Sequence, residues 1–220
     1  MVGNDIVDLQ DPDADFGSYR SRFDERVFSE SERRSIDRAT SPERQRWRLW
    51  AAKEASFKLA RKRDPSTLFS PRAFSVDCDE GSRAIRVRVI HDELPCFVEF
   101  DETKKRIHAI AVPAPGDFAD VISGVDVLEH SSGGASQSER ESQAVRDLAC
   151  DAISQRFNFS RHRLEIRRAA QRIPMLYHGE ALLDLSVSLS HHGSWLGFAC
   201  RAACHPTCHP TCRPGVDPVA

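Results

Sequence analysis

Between Ser41-Pro42 and Asp64-Pro65 runs a stretch with no glycine and no further proline, rich in Ala, Arg and Lys. A serine cap followed by proline in the first turn starts a helix, and Asp-Pro stops one, so the spacing predicts a helix to about Arg63. What flanks it is short and strand-like. Val2 to Leu9 reads as a buried strand through Val2, Ile6, Val7 and Leu9. Four runs follow the helix, around Phe74–Cys78, Ala84–Ile90, Cys96–Phe100 and Ile107–Val112, at meander-like intervals. Ser29 and Glu32 have capping-box spacing, so Phe28–Glu32 is expected to open one more helix.

Residues Pro113 to about Gln137 change character. Pro-Ala-Pro-Gly and Ser-Ser-Gly-Gly-Ala-Ser-Gln-Ser bracket a weak apolar piece, Val121–Leu128, and mark a domain boundary. A second helix is expected from a Ser138/Glu141 capping box, with Val145, Leu148, Ala149, Ala152, Ile153 and Phe157 on one stripe. Strands then fit Arg163–Arg168, Leu183–Ser190 and Trp195–Arg201. The expectation is an α+β fold with helix-plus-sheet twice: an N-terminal half over 1–115, a linker over 116–138 and a C-terminal half over 139–203. The 204–220 tail repeats Cys-His-Pro-Thr, which could bind zinc. Proline at every fourth position prevents a helix from presenting those ligands together, so a disordered tail is expected.

The 220 residues carry 31 basic and 33 acidic side chains and are 40% hydrophobic, which excludes wholesale disorder and rod-like repeats. No run of about 18 apolar residues is present, so no membrane helix is expected. The first residues lack the basic and apolar segments of a secretory signal. Seven cysteines, an odd number, point to a reduced, cytoplasmic protein. Charge is segregated. The first sixteen residues hold five aspartates and no base, whereas Arg20 to Arg63 hold fourteen Lys/Arg against seven Asp/Glu. A second basic patch runs from Arg161 to Arg172. Solvated faces are the plain reading of such runs; a polyanion site is the functional one. Aromatics are not interleaved with the bases as a nucleic-acid platform would want, so a phosphorylated ligand or an acidic protein fits as well.

Three stretches could carry chemistry. On the long helix, Trp47, Trp50, Glu54 and Lys58 fall along one stripe. Their plain reading is an exposed Glu54–Lys58 pair beside core tryptophans, and the functional one is a cation site next to a phosphate site. A divalent cation takes one or two carboxylates plus phosphate oxygens and waters. Asp5, in an apolar strand, wants a cation or a donor, or else caps a neighbouring turn. Asp8 lies an odd number of residues away and faces the opposite side. In Leu183–Ser190 the leucines and Val187 make one face and Asp184, Ser186, Ser188 and Ser190 the other. The strand ends in Ser190-His191-His192-Gly193, donors at a glycine turn that suit a phosphate.

In this order, Gly3-Asn4-Asp5-Ile6, Trp50-Ala51-Ala52-Lys53-Glu54-Ala55-Ser56-Phe57-Lys58 and Ser188-Leu189-Ser190-His191-His192-Gly193-Ser194-Trp195 resemble the three motifs of the 4′-phosphopantetheinyl transferase superfamily. Arg26 to Glu32 is similar to a segment of its holo-acyl-carrier-protein synthase branch. The resemblance implies transfer of phosphopantetheine from coenzyme A to a serine of an acidic acyl or peptidyl carrier protein, releasing adenosine 3′,5′-bisphosphate. It implies Mg²⁺ on Asp5 and Glu54, with Glu54 as base and Lys58 on the pyrophosphate. Lys53, Lys58, Arg172, Ser190 and His191 would bind coenzyme A. A silent relative that only binds coenzyme A or a carrier is the alternative. Val7 stands where the larger members carry a second acid, and Arg172-Ile173-Pro174 stands for their Gly-Lys-Pro. The short branch has subunits of about half this length that trimerise; the implication here is a monomeric pseudo-dimer with the site between its halves, without membrane or nucleic-acid partners.

Overall fold

The computed structural model describes residues 1–14, 22–77, 85–128, 136–169 and 171–202. The Cys/His-rich tail lies outside these residues.

The first half is a five-stranded antiparallel sheet with a helix across it. Its strands are β1 (Gly3–Asp8), β2 (Ser75–Val76), β3 (Arg86–His91), β4 (Leu94–Glu102) and β5 (Arg106–Val112), in the order β1-β5-β4-β3-β2. Two short helices, α1 (Phe23–Val27) and α2 (Glu30–Arg38), precede the long α3 (Pro42–Arg63). The capping box of α2 forms as expected: Ser29 Oγ accepts from the Glu32 amide, and the Glu32 carboxylate accepts from the Ser29 amide. The bounds of α3 are those the proline signals predict. Ser41 nonetheless makes no side-chain cap, so Pro42 alone marks the start.

α3 buries Leu49, Ala51, Ala52, Ala55 and Leu59 in the core it shares with Val7, Phe28, Ile36, Val98 and Ile107. Three alanines let the helix approach β1 closely, and Gly3 completes the fit. A Cβ at Gly3 would stand 2.0 Å from the Ala55 carbonyl oxygen and 2.8 Å from the Leu59 nitrogen. Only glycine leaves room there for helix backbone against strand backbone.

The second half repeats the plan. β6 (Val121–Val127), α4 (Gln137–Phe157), β7 (Leu164–Arg168), β8 (Pro174–His178), β9 (Ala181–His192) and β10 (Trp195–Ala202) form a sheet ordered β6-β10-β9-β8-β7. In both halves a strand leads into a long helix and then four strands, the last returning beside the first. Ala149, Cys150 and Ile153 of α4 pack on Leu164, Ile166, Leu176, Val187 and Phe198. The expected apolar face of β9 therefore meets α4.

Three features differ from the sequence reading. The stretch taken as a linker, 116–138, supplies β6, paired with β10 from Val121↔Arg201 to Val127↔Trp195. β8 was not among the expected strands. The capping box of α4 is Ser136 with Glu139, two residues earlier than Ser138/Glu141. The same Ser-x-x-Glu spacing occurs in both frames, and Glu141 has another use described below.

The halves meet along β1. Its inward amides pair with β5, leaving the amides of residues 2, 4, 6 and 8 on a free edge. β9 covers that edge with side chains instead of backbone. Val2 N donates to Ser186 Oγ (3.1 Å), Asn4 N to Ser188 Oγ (2.9 Å), Ile6 N to Ser190 Oγ (3.2 Å) and Asp8 N to His192 Nδ1 (3.0 Å). Four successive contacts keep one offset of 184 residues. Each is worth about 1 kcal/mol net, while a buried amide left unpaired costs about 1–3 kcal/mol. Lys62 adds a clamp, donating to Val2 O (2.6 Å) in one half and Val187 O (2.5 Å) in the other. Arg106 lies over the Trp195 ring at 5.4 Å. No helix among the described residues is long and apolar enough to cross a membrane.

Candidate functional site

Where β1, α3 and the end of β9 converge, a cleft of about 290 Å³ opens, lined in part by Asp5, Trp47, Trp50, Glu54, Lys58 and His191. The α3 stripe predicted from 3–4 spacing thus faces one space. Asp5 is 7% exposed, and its Oδ1 accepts from Lys58 Nζ at 2.9 Å and from Ser190 Oγ at 2.8 Å. Burial, and next the negative charge of Asp5, push the Glu54 carboxyl up to about 7, against the opposing pull of Lys58. Two acids from positions far apart in the chain therefore share one field.

Asp8 turns away from this cleft, as the odd separation requires. Its Oδ1 accepts from Gln10 N (2.9 Å) and its Oδ2 from Ser194 N (3.0 Å), holding the β9–β10 turn. Gly193 sits in that turn at φ +55°, and a Cβ there would come within 2.5 Å of Asp8 Oδ2. Val7 is 2% exposed and packs in the core.

A second cleft of about 300 Å³ adjoins the first across Lys58, Leu189 and His191. Lys58, Arg61, Arg146, Arg168 and Arg172 line it, over apolar side chains such as Ile166. Arg146 Nη1 donates to Ser142 Oγ (2.8 Å) and Arg168 Nη2 to the same hydroxyl (2.9 Å). Burial first, and then the neighbouring Arg168, hold the Arg146 guanidinium below its ordinary range. No described carboxylate forms an ion pair with Arg168 or Arg172, whereas Arg161 pairs with Asp147 and Asp151, and Arg167 with Glu165. The C-terminal basic patch thus divides into a solvated face and a cation-lined pocket open to an anion.

The structure brings Asp5, Glu54, Lys58, Ser190, His191 and Arg172 to these two adjoining clefts. It does not bring Lys53. Lys53 is 0% exposed, and its ammonium donates to Glu32 Oε1 (2.8 Å), Pro71 O (3.0 Å) and Phe74 O (2.5 Å). Its expected contact with coenzyme A is corrected to a core ion pair, because a helix turns about 100° per residue and carries Lys53 off the Glu54 face. Ser190 reaches the cleft with its hydroxyl proton already given to Asp5, so that proton is not free for a phosphate.

Arg61, Arg146, Arg168 and Glu141 were missed. Arg61 and Arg168 stand out in the sequence only as members of basic runs, and Arg146 belongs to neither run. Glu141 Oε2 lies 3.1 Å from His191 Nδ1, a pairing of α4 with β9 that no local pattern announces. Burial lowers the His191 pKa, with Glu141 pulling the other way.

Among the described residues no group of three or more His, Cys, Asp or Glu side chains forms a metal cage. Two carboxylates in one cleft still suit a cation such as Mg²⁺, which usually takes one or two carboxylates and completes its shell with water and phosphate oxygens. Asp5 and Glu54 line the same cleft, close enough that the Asp5 charge adds to burial in pushing the Glu54 carboxyl up.

A family model described as the 4′-phosphopantetheinyl transferase superfamily fits residues 1–113, the stretch from β1 to the end of β5. No curated protein matches the chain.

Proposed function

The chain belongs to the 4′-phosphopantetheinyl transferase superfamily, and we propose that it moves phosphopantetheine from coenzyme A to a serine hydroxyl of an acidic carrier protein. The observation that carries this reading is the meeting of Asp5, Glu54 and Lys58 in one cleft, continuous with a pocket lined by Arg61, Arg146, Arg168 and Arg172. The basic pocket would take the nucleotide phosphates, with His191 at the junction and Lys58 on the pyrophosphate. The carrier serine oxygen attacks the β-phosphorus, forming one P–O bond. The bond from that phosphorus to the bridging oxygen breaks, and adenosine 3′,5′-bisphosphate leaves with the electron pair. The serine proton passes to Glu54, directly or through a water, from its place in the cleft beside Lys58.

Mg²⁺ would be held by Asp5 and Glu54, and when bound it would neutralise pyrophosphate charge. The repeated strand–helix–four-strand plan supports reading the chain as a pseudo-dimer acting as a monomer, with the site between its halves. Cys96, Cys150 and Cys200 are buried free thiols, the last two pushed by burial to about 11 and about 12. Unpaired, unreactive thiols support a reducing, cytoplasmic setting.

Mass spectrometry of an apo carrier incubated with coenzyme A, Mg²⁺ and the protein tests the reading. The carrier gains one phosphopantetheine, and Glu54→Gln abolishes the gain while circular dichroism stays native. Absence of any gain across acyl and peptidyl carriers, with coenzyme A still bound, would make this a binding module instead.

A further inference from the structure

The four side chains with which β9 covers the edge of β1 are not equivalent. Ser186 accepts from the Val2 amide just before β1, and Ser188, Ser190 and His192 from β1 amides, but Ser190 also donates to a carboxylate, Asp5 Oδ1. Its acceptor side is held by Ile6 N at 3.2 Å and its proton by Asp5 at 2.8 Å, so the hydroxyl is fixed between two points on β1. Lys58 donates to the same Oδ1 at 2.9 Å. No described residue donates to Oδ2. A carboxylate with one oxygen pinned by two donors cannot rotate freely, and it presents the other oxygen in a constant direction.

We propose that Ser190 is a positioning residue for Asp5, setting the orientation in which that carboxylate meets its cation, and is not a ligand of the coenzyme A phosphates. This rests on the transferase reading and its Asp5–Glu54 cation site. It has an architectural consequence. Asp5 stands on the first strand of the N-terminal half, while the group that orients it comes from β9 of the other half. The cation site is thus aligned only when the two halves are in register. Partners that orient a ligating group usually matter nearly as much as the ligand itself.

The test is a Mn²⁺ titration of the full chain in the presence of coenzyme A, followed by electron paramagnetic resonance, with Mn²⁺ standing in for Mg²⁺. Ser190→Ala weakens Mn²⁺ binding by about 10- to 100-fold, and Ser190→Thr, which keeps the hydroxyl, restores it. Ser188→Ala removes an equivalent contact to β1, at Asn4 N, without touching Asp5. It lowers thermal stability but leaves Mn²⁺ affinity as in the wild type, which separates positioning from general support. Coenzyme A affinity measured in a chelator is unchanged in Ser190→Ala. Wild-type Mn²⁺ affinity in Ser190→Ala, or lost coenzyme A binding in chelator, would overturn the proposal while leaving the transferase reading intact. Absence of Mn²⁺ binding by the wild type would instead remove the cation site and the proposal with it.

Discussion

Replacing Lys53 with methionine isolates the member of the adjacent Lys53-Glu54 pair that the fold uses for itself. The ammonium is 0% exposed and lies 2.8 Å from Glu32 Oε1, with two backbone carbonyls as its other acceptors. Glu32 is equally buried and also accepts from the amides of Ser29 and Val76. Methionine keeps most of the aliphatic stem but strands a carboxylate without its cation, and breaking a buried pair from one side costs about 3–5 kcal/mol. With a urea slope of about 2 kcal/mol per molar, the unfolding midpoint falls by about 2 M. Adding Glu32→Gln removes the stranded charge while keeping an acceptor for Val76, so the double variant recovers most of that loss. Coenzyme A affinity of the folded fraction stays unchanged throughout. A Lys53→Met cost below about 1 kcal/mol, or a loss of coenzyme A affinity at full stability, would refute the reasoning and return Lys53 to the ligand.

Two further outcomes follow from the packing. Gly3→Ala drives a methyl against the Ala55 carbonyl and Leu59 nitrogen, both backbone atoms. It costs at least about 1–3 kcal/mol in thermal or urea unfolding and lowers turnover by lifting Asp5 away from Glu54; wild-type stability would show that α3 can recede. His108 is 1% exposed, pairs with Asn4 Nδ2 at 3.1 Å, and is pushed by burial from 6.5 to about 4. The unfolded chain takes up this proton first, so its contribution is complete above pH 6.5 and is lost as pH falls towards 4, a change of about 3 kcal/mol. Urea unfolding between pH 7.5 and 4.5 measures it, and His108→Asn flattens that part of the profile; an unaltered slope would contradict the assignment.

What the sequence made legible was local in origin. Ser41-Pro42 and Asp64-Pro65 delimit α3 because proline acts on its own neighbours. Alternation assigned the two faces of β9, and 3–4 spacing put Trp47, Trp50, Glu54 and Lys58 on one stripe. What escaped depended on partners far along the chain. β6 is an edge strand interrupted by Gly124, so its apolar signal is weak until β10 lies beside it. β8 starts at a proline and is too short to show a period. Glu141 fitted a capping box on spacing, yet its carboxylate serves His191 and the box belongs to Glu139. The burial of Lys53 follows from Glu32, and the task of Ser190 from the 184-residue offset that lays β9 against β1. No neighbouring residue encodes either.

Anomalous diffraction from crystals grown with coenzyme A and Mn²⁺ most directly tests whether Asp5 and Glu54 act on one ion. The account predicts a single peak bonded to both carboxylates and to a pyrophosphate oxygen. A peak that leaves either acid uncoordinated, or bound coenzyme A with no peak at all, would contradict it.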